Sequence, residues 1–334
     1  MKNQKNISFF EHPVRDAILV ENKCSREHGR AVRYATNLKI PIIILSLAAL
    51  FACNEDNVFE KEQYKTVLAL VSEDGFNIFR VVHDLDEPES VGYVAASCGG
   101  TRQTEYPVEI VLSPDMESFD RYNTSNFDVD AAKYAHLLPA GKYDIASYRL
   151  TIPAGERSGK MPINVRPDGL SPDSTYFIPL AIEYYDRYEA NPDKSNVLYQ
   201  VLLKNQYATQ EYPTNYTMRA FRGDVQLPGL KTMHPISRNK VRTFVDNFAF
   251  EADMDIINRY AIVLEITADN RVLISSWKDI EVTRIDDDPD FPNIFFIEDT
   301  GFKKYKTFLL RYDYKNVNGL TIEMKEELRL EFTE

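Results

Sequence analysis

Cysteine is nearly absent from this chain: Cys24, Cys53 and Cys98 are the only three in 334 residues. No CxxC pair and no Cys/His cluster occurs, which excludes a zinc site of that kind. Beyond residue 52 the histidines are His83, His136 and His234, far apart and without HExxH spacing, so none is assigned a catalytic role. There is no GxSxG elbow and no dinucleotide fingerprint. Gly155 and Gly159-Lys160 imitate a phosphate loop, but three residues separate the glycines where four are needed, and Met161 stands where Ser or Thr belongs. Basic tracts are lacking too. The formal net charge is −12, which repels phosphate backbones and excludes nucleic acid as a partner. The apolar run 40–52 extends about 20 Å as a helix, short of the ~30 Å hydrocarbon core, so it is too short to span a membrane. Asp286, Asp288 and Asp290 have one-three-five spacing, yet Phe291 replaces the required glycine and Ile297 the closing glutamate. The EF-hand reading fails and a solvated acidic loop remains. No metal, cofactor or catalytic residue is expected. With 51 acidic residues, a plausible carboxylate pair is no evidence for a glycoside hydrolase.

What is present begins with the leader. A basic stretch with Arg26, Arg30, Arg33 and Lys39 precedes the apolar run, which stops at Cys53 and gives way to Asn54-Glu55-Asp56-Asn57. That order is a secretory signal. Leu50-Phe51-Ala52-Cys53 resembles a bacterial lipobox, which implies that Cys53 is acylated and becomes the N-terminus. Two or three acyl chains would hold the protein on a membrane, where one gives only marginal binding. Glu55-Asp56 resembles the surface-export signal of Bacteroidetes-type lipoproteins. The expected location is therefore the outer membrane, lipid-anchored and facing outward. Residues 1–39 are long and mixed in charge for a leader, so translation is expected to start nearer Lys39. The segment before Cys53 carries eight Lys/Arg against four Asp/Glu, so the −12 of the whole chain becomes −16 beyond it.

The dominant period after the leader is two. Leu320, Ile322, Met324, Leu328, Leu330 and Phe332 share one parity, and only Glu326 breaks that apolar face. Asn318-Gly319 marks a hairpin into the preceding strand with Phe308, Leu310, Tyr312 and Tyr314. A second hairpin reads around Asp269-Asn270, and short strands are expected at 281–285 and 294–297. Such a meander stays open or closes into a small barrel. Eight further strands are expected at 67–71, 78–82, 91–96, 108–112, 147–152, 161–165, 176–182 and 197–203, at the spacing of an immunoglobulin-like sandwich. Residues 131–138 read as a short helix or a crossover loop. The organisation is thus a leader 1–52, a lipidated tether 53–66, an immunoglobulin-like β-sandwich 67–209 and a small antiparallel β-barrel 215–334, with the join in 210–214. The fold class is all-β.

Tyr122-Asn123, Tyr134 through Leu138-Pro139-Ala140-Gly141-Lys142-Tyr143, Thr151-Ile152-Pro153-Ala154-Gly155 and Tyr176-Phe177-Ile178-Pro179-Leu180 resemble one family. It is the immunoglobulin-like N-terminal domain of two-domain Bacteroidetes-type surface lipoproteins of unknown function. Lys231-Thr232, Ser237 to Arg242 and Phe308 to Tyr312 resemble its usual C-terminal companion, similar to a calycin-type barrel. Such proteins are often encoded beside outer-membrane glycan-uptake systems. The resemblance therefore implies capture of polysaccharide or glycoprotein glycan near an uptake complex.

Sugar rings pack their C–H faces on aromatic rings while polar side chains bond the hydroxyls. Trp277, the only tryptophan, and Tyr184, Tyr185 and Tyr188, beside Asp186, Arg187 and Glu189, are the candidate ligand-binding residues. A structural or adhesive surface module fits the same features without an aromatic platform, and a carbohydrate hydrolase is the third alternative. Asp173-Ser174-Thr175 resembles a bacterial O-glycosylation acceptor.

Overall fold

The computed structural model describes residues 65–100 and 103–333, so the expected leader, Cys53 and most of the tether lie outside the described residues. The architecture is all-β. In the N-terminal half two sheets face each other. One is ordered β10 (Glu189–Ala190), β1 (Val67–Leu70), β3 (Ser90–Gly99), β8 (Ser158–Val165) and β6 (Tyr143–Asp144). The other is ordered β2 (Ile78–Asp84), β11 (Asn196–Lys204), β9 (Tyr176–Tyr185), β4 (Val108–Pro114) and β7 (Arg149–Ile152), with β5 (His136–Leu137) beside β9. Alternate residues of each sheet, among them Leu68, Val94, Ile110, Leu150, Ile163 and Val197, fill the space between them. Fully burying each such side chain is worth about 1.5–3 kcal/mol. All eight strands read from the sequence in this half are present, with ends shifted by a few residues.

Helix α1 (Met116–Phe127) is an addition that the periodicity does not announce. Asp115 caps it, accepting from the Ser118 amide at 3.3 Å. Phe119 packs with Phe177 and Leu198, and Tyr122 meets Phe177 edge-on at 4.9 Å. Buried Asn123 then accepts from the Ala135 amide and donates to its carbonyl, pinning the helix to the segment after it. That segment is a single 3-10 turn at Ala131–Lys133 leading into β5.

One close approach in the sandwich needs glycine. A Cβ at Gly92 would lie 1.8 Å from the Tyr199 hydroxyl, which is hydrogen-bonded to His83 Nε2 at 2.8 Å. Gly92→Ala is expected to cost about 1–3 kcal/mol as an overpacked core. Adding Tyr199→Phe should recover part of that in urea unfolding, and no recovery would place the clash elsewhere.

The C-terminal half is a strongly curled, nearly closed barrel. Its order is β16 (Val272–Ser276), β15 (Ala261–Ile266), β14 (Lys240–Phe244), β13 (Val225–Ser237), β12 (Thr214–Arg222), β20 (Thr321–Phe332), β19 (Lys304–Lys315) and β17 (Val282–Arg284), with β18 (Ile294–Asp299) also on β19. Closure comes where β16 meets β18: the Val272 amide donates to Asn293 O at 2.7 Å and the Phe295 amide to Asn270 O at 2.9 Å. Both hairpins read from sequence are there, with Asn270 at φ +62° and Gly319 at φ +75° in their turns. Helix α2 (Met254–Tyr260) packs its Ile257 with Phe244 and Ala261 in a small cluster, with Trp277 alongside. Among the described residues, no helix is long and apolar enough to cross a membrane.

Candidate functional site: the seam between sandwich and barrel

The residue that breaks the apolar parity of β20 does not turn outward. Glu326 points into the barrel core, fully buried, and Lys231 from β13 meets it at 3.0 Å with 1% exposure. The Tyr312 hydroxyl donates to Glu326 Oε1 at 2.7 Å and accepts from the Asp246 amide at 3.1 Å. Asp246, in the left-handed region at φ +56°, receives the Tyr314 hydroxyl at 2.6 Å and two bonds from Arg222 at 2.8 and 2.6 Å. Burial pushes the Glu326 carboxyl up and the Lys231 ammonium down. Burial also works to raise Asp246, but the Arg222 and Tyr314 hydrogen bonds outweigh it and hold that carboxyl low. Two cations and two carboxylates thus balance, Lys231, Glu326 and Asp246 buried and Arg222 reaching in from the barrel surface. This chain of groups ties four strands and the segment after β14 together.

The seam is held by a second buried pair. Arg242 on β14 makes a bidentate ion pair with Asp173, which precedes β9 in the sandwich. Arg242 is fully buried, and its guanidinium lies 4.9 Å from the Trp277 ring centroid. Cross-strand from it, His234 packs at a tilt against Phe250 with centroids 4.2 Å apart. Between β11 and β12 the chain is fixed by side chains. Asn205 Nδ2 donates to Ser237 O at 2.7 Å and Lys240 O at 3.0 Å, and its Oδ1 accepts from the Tyr207 and Ala208 amides. Gln210 donates to Pro172 O at 2.8 Å while accepting from the Leu203 amide at 2.7 Å.

On one flank of this linker the seam opens into a cleft of about 660 Å³. Asp84, Asp86 and Lys204 come from the sandwich, Tyr212 from the linker, and Lys306 and Phe332 from the barrel. Tyr212 is 61% exposed. The Lys204 ammonium pairs with Asp84 at 3.2 Å. Asp86 is half-buried, and burial first, then the neighbouring Asp84 charge, pushes its carboxyl up. On the other flank lies a smaller cleft of about 370 Å³, where Tyr212 is joined by Asp173, Gln200, His234 and Phe250. Clefts at domain junctions with a few convergent polar groups are the usual ligand sites.

The residues singled out from sequence are not gathered in one place. Trp277 is half-buried beneath Arg242, and its Nε1 is buried without a hydrogen-bond partner. Tyr184 and Tyr185 are exposed at the end of β9, beside a register shift between Val111 and Leu112 of β4. Arg187 stacks on Tyr106 nearby, 5.0 Å from its centroid. Tyr188, at φ +62°, packs against the sandwich core. Asp173 of the acceptor-like tripeptide is occupied by Arg242. In the acidic loop Asp286 pairs with Arg284 and Asp288 with Lys325, both at 2.6 Å. Among the described residues no group of three or more His, Cys, Asp or Glu converges to hold a metal. Tyr212 carries no sequence signal beyond lying in the join 210–214.

Fully buried His83 and half-buried His234 set an acid limit. Burial lowers His83 to about 4, against an ordinary 6.5. Burial, then the Arg242 charge, lowers His234 to about 4. The unfolded chain therefore binds more protons between those values, and stability present above pH 6.5 is lost as pH falls toward 4. Each histidine contributes about 3 kcal/mol to that loss. Thermal melts at pH 7.5 and 4.5 should show the drop, and the His83→Gln/His234→Gln double variant should flatten it. An equal drop in the variant would assign it to carboxylates.

A paired sandwich and barrel joined by a short fixed linker define a two-domain class of all-β protein. A family model described as an N-terminal domain matches residues 60–189, and one described as a C-terminal domain matches residues 195–329. The chain belongs to that two-domain family. The C-terminal match takes in β11, although that strand completes a sandwich sheet. Among solved structures, the fold is similar to a multidomain protein from Bacteroides ovatus that includes a domain of unknown function. That likeness has 13% identity and a TM-score of 0.55, covering 80% of this chain and 95% of that one. It is likewise similar to an auxiliary nutrient binding protein from Bacteroides thetaiotaomicron, at 14% identity and a TM-score of 0.55, covering 76% and 90%. A protein of unknown function from Bacteroides ovatus matches at 16% identity and a TM-score of 0.51, covering 83% and 93%. At these identities the likeness is one of fold. No curated protein matches the chain.

Proposed function

We propose that the protein is a lipid-anchored outer-membrane protein, displayed at the cell surface, that binds glycan without transforming it and serves a carbohydrate-uptake complex. The observation that carries the binding reading is the larger seam cleft, where exposed Tyr212 stands among Asp84, Asp86 and Lys306. A flat ring for a sugar face beside hydroxyl-bonding groups is the chemistry such a ligand needs. A nutrient-binding protein among the structural neighbours supports the same reading. Location rests on the sequence: the signal run, the lipobox-like Cys53 and Glu55-Asp56.

Affinity gel electrophoresis against a panel of polysaccharides tests the binding. Retardation is expected on at least one glycan. Tyr212→Ala should weaken it about tenfold, the equivalent of about 1.4 kcal/mol. The absence of retardation across the panel would sink the reading. Mass spectrometry of the membrane fraction tests the anchor, which fails if Cys53 carries no fatty acid.

A further inference from the structure

We infer that the larger seam cleft is built for a saccharide bearing one acidic group, a uronic or a sialic acid, whose carboxylate sits on Lys306; this rests on the glycan-binding reading above. An ammonium has three N–H donors. One of those on Lys306 goes to the Gln206 carbonyl of the linker, and the Phe332 ring lies 5.3 Å away. Among the described residues no carboxylate lies within 4 Å of it, although the other cleft lysine, Lys204, has Asp84, and Lys303 nearby on the barrel has Glu331 at 2.8 Å. Lys306 is thus a half-buried cation with donors to spare on the wall of a cleft. Burial pushes it down with no neighbouring charge pulling it back, so a bound anion supplies the missing counter-charge.

The rest of the cleft limits that anion to one. Asp84, Asp86 and Glu211 also line it, and the chain carries a net −12, so a densely charged polymer is repelled. Asp86 has no cation within 4 Å among the described residues and is placed to accept sugar hydroxyls. Tyr212 offers the ring face.

The test uses the full chain in detergent and two matched pairs: 3′-sialyllactose against lactose, and glucuronoxylan against unsubstituted xylan. The acidic member of one pair should bind at least about tenfold tighter than its neutral twin, and the pair that shows it identifies the acid. Lys306→Gln should level that pair to within about twofold with little change in melting temperature, since no ion pair is removed and the glutamine amide can still donate toward the Gln206 carbonyl. Equal binding of the twins, or a preference that survives K306Q, overturns the inference. Binding confined to neutral glycans of the wider panel overturns it and leaves glycan capture standing, whereas no binding to any glycan overturns both.

Discussion

Lys231→Met is expected to destabilise the barrel by about 3–5 kcal/mol, because it leaves the Glu326 carboxylate buried without its cation. Lys231 and Glu326 are 1% and 0% exposed, so water cannot replace the lost partner. Glu326→Leu alone should cost a similar amount by stranding the ammonium. The double variant Lys231→Met/Glu326→Leu restores charge balance with apolar side chains and should return to within about 1 kcal/mol of the wild type or exceed it. Urea unfolding followed by near-UV circular dichroism reads all four corners of this cycle. A Lys231→Met cost below about 1 kcal/mol would mean that the pair is not ionised in the barrel. Tyr312 complicates the double variant, since its hydroxyl donates to Glu326. Adding Tyr312→Phe removes that donor but leaves the Asp246 amide without an acceptor.

Arg242→Met should be equally costly, about 3–5 kcal/mol, and its effect should appear at the seam. The guanidinium is fully buried between Asp173 and the Trp277 ring. Its removal frees a carboxylate of the sandwich and takes away the face on which the tryptophan rests. Chymotryptic cleavage after Tyr207 should accelerate, because the linker's bonds from Asn205 and Gln210 depend on the two bodies staying in register. A double-mutant cycle with Asp173→Asn should give a coupling of at least about 1.5 kcal/mol. Coupling near zero, with cleavage unchanged, would show that the linker alone holds the domains.

The elements that could be read from the sequence were those with a strict period. Alternation in 320–332 and 308–314 specified neighbouring strands, and turn residues such as Asn318-Gly319 fixed where they reverse. Helix α1 was illegible for the opposite reason. Phe119, Tyr122 and Phe127 supply its large apolar contacts, but polar Asn123 sits on the buried face among them, so the hydrophobic stripe is sparse and interrupted. Glu326 stood out as a flaw in the pattern, but its meaning needed Lys231, 95 residues away on a strand that no local signal pairs with it. Arg242 and Asp173, 69 residues apart, are no more visible. Aromatic content drew attention to Trp277 and the 184–188 tyrosines, while the ring in the seam belongs to Tyr212. Exposure is set by tertiary packing, and spacing does not reveal it.

The bonded linker has a kinetic consequence. A two-lobed receptor that shuts on its cargo spends part of each encounter waiting for a hinge, and part of its binding energy ordering one. Here the Asn205 and Gln210 bonds already hold the walls, so on the proposed reading a ligand's arrival would be governed by diffusion and fit, and its departure by the contacts alone.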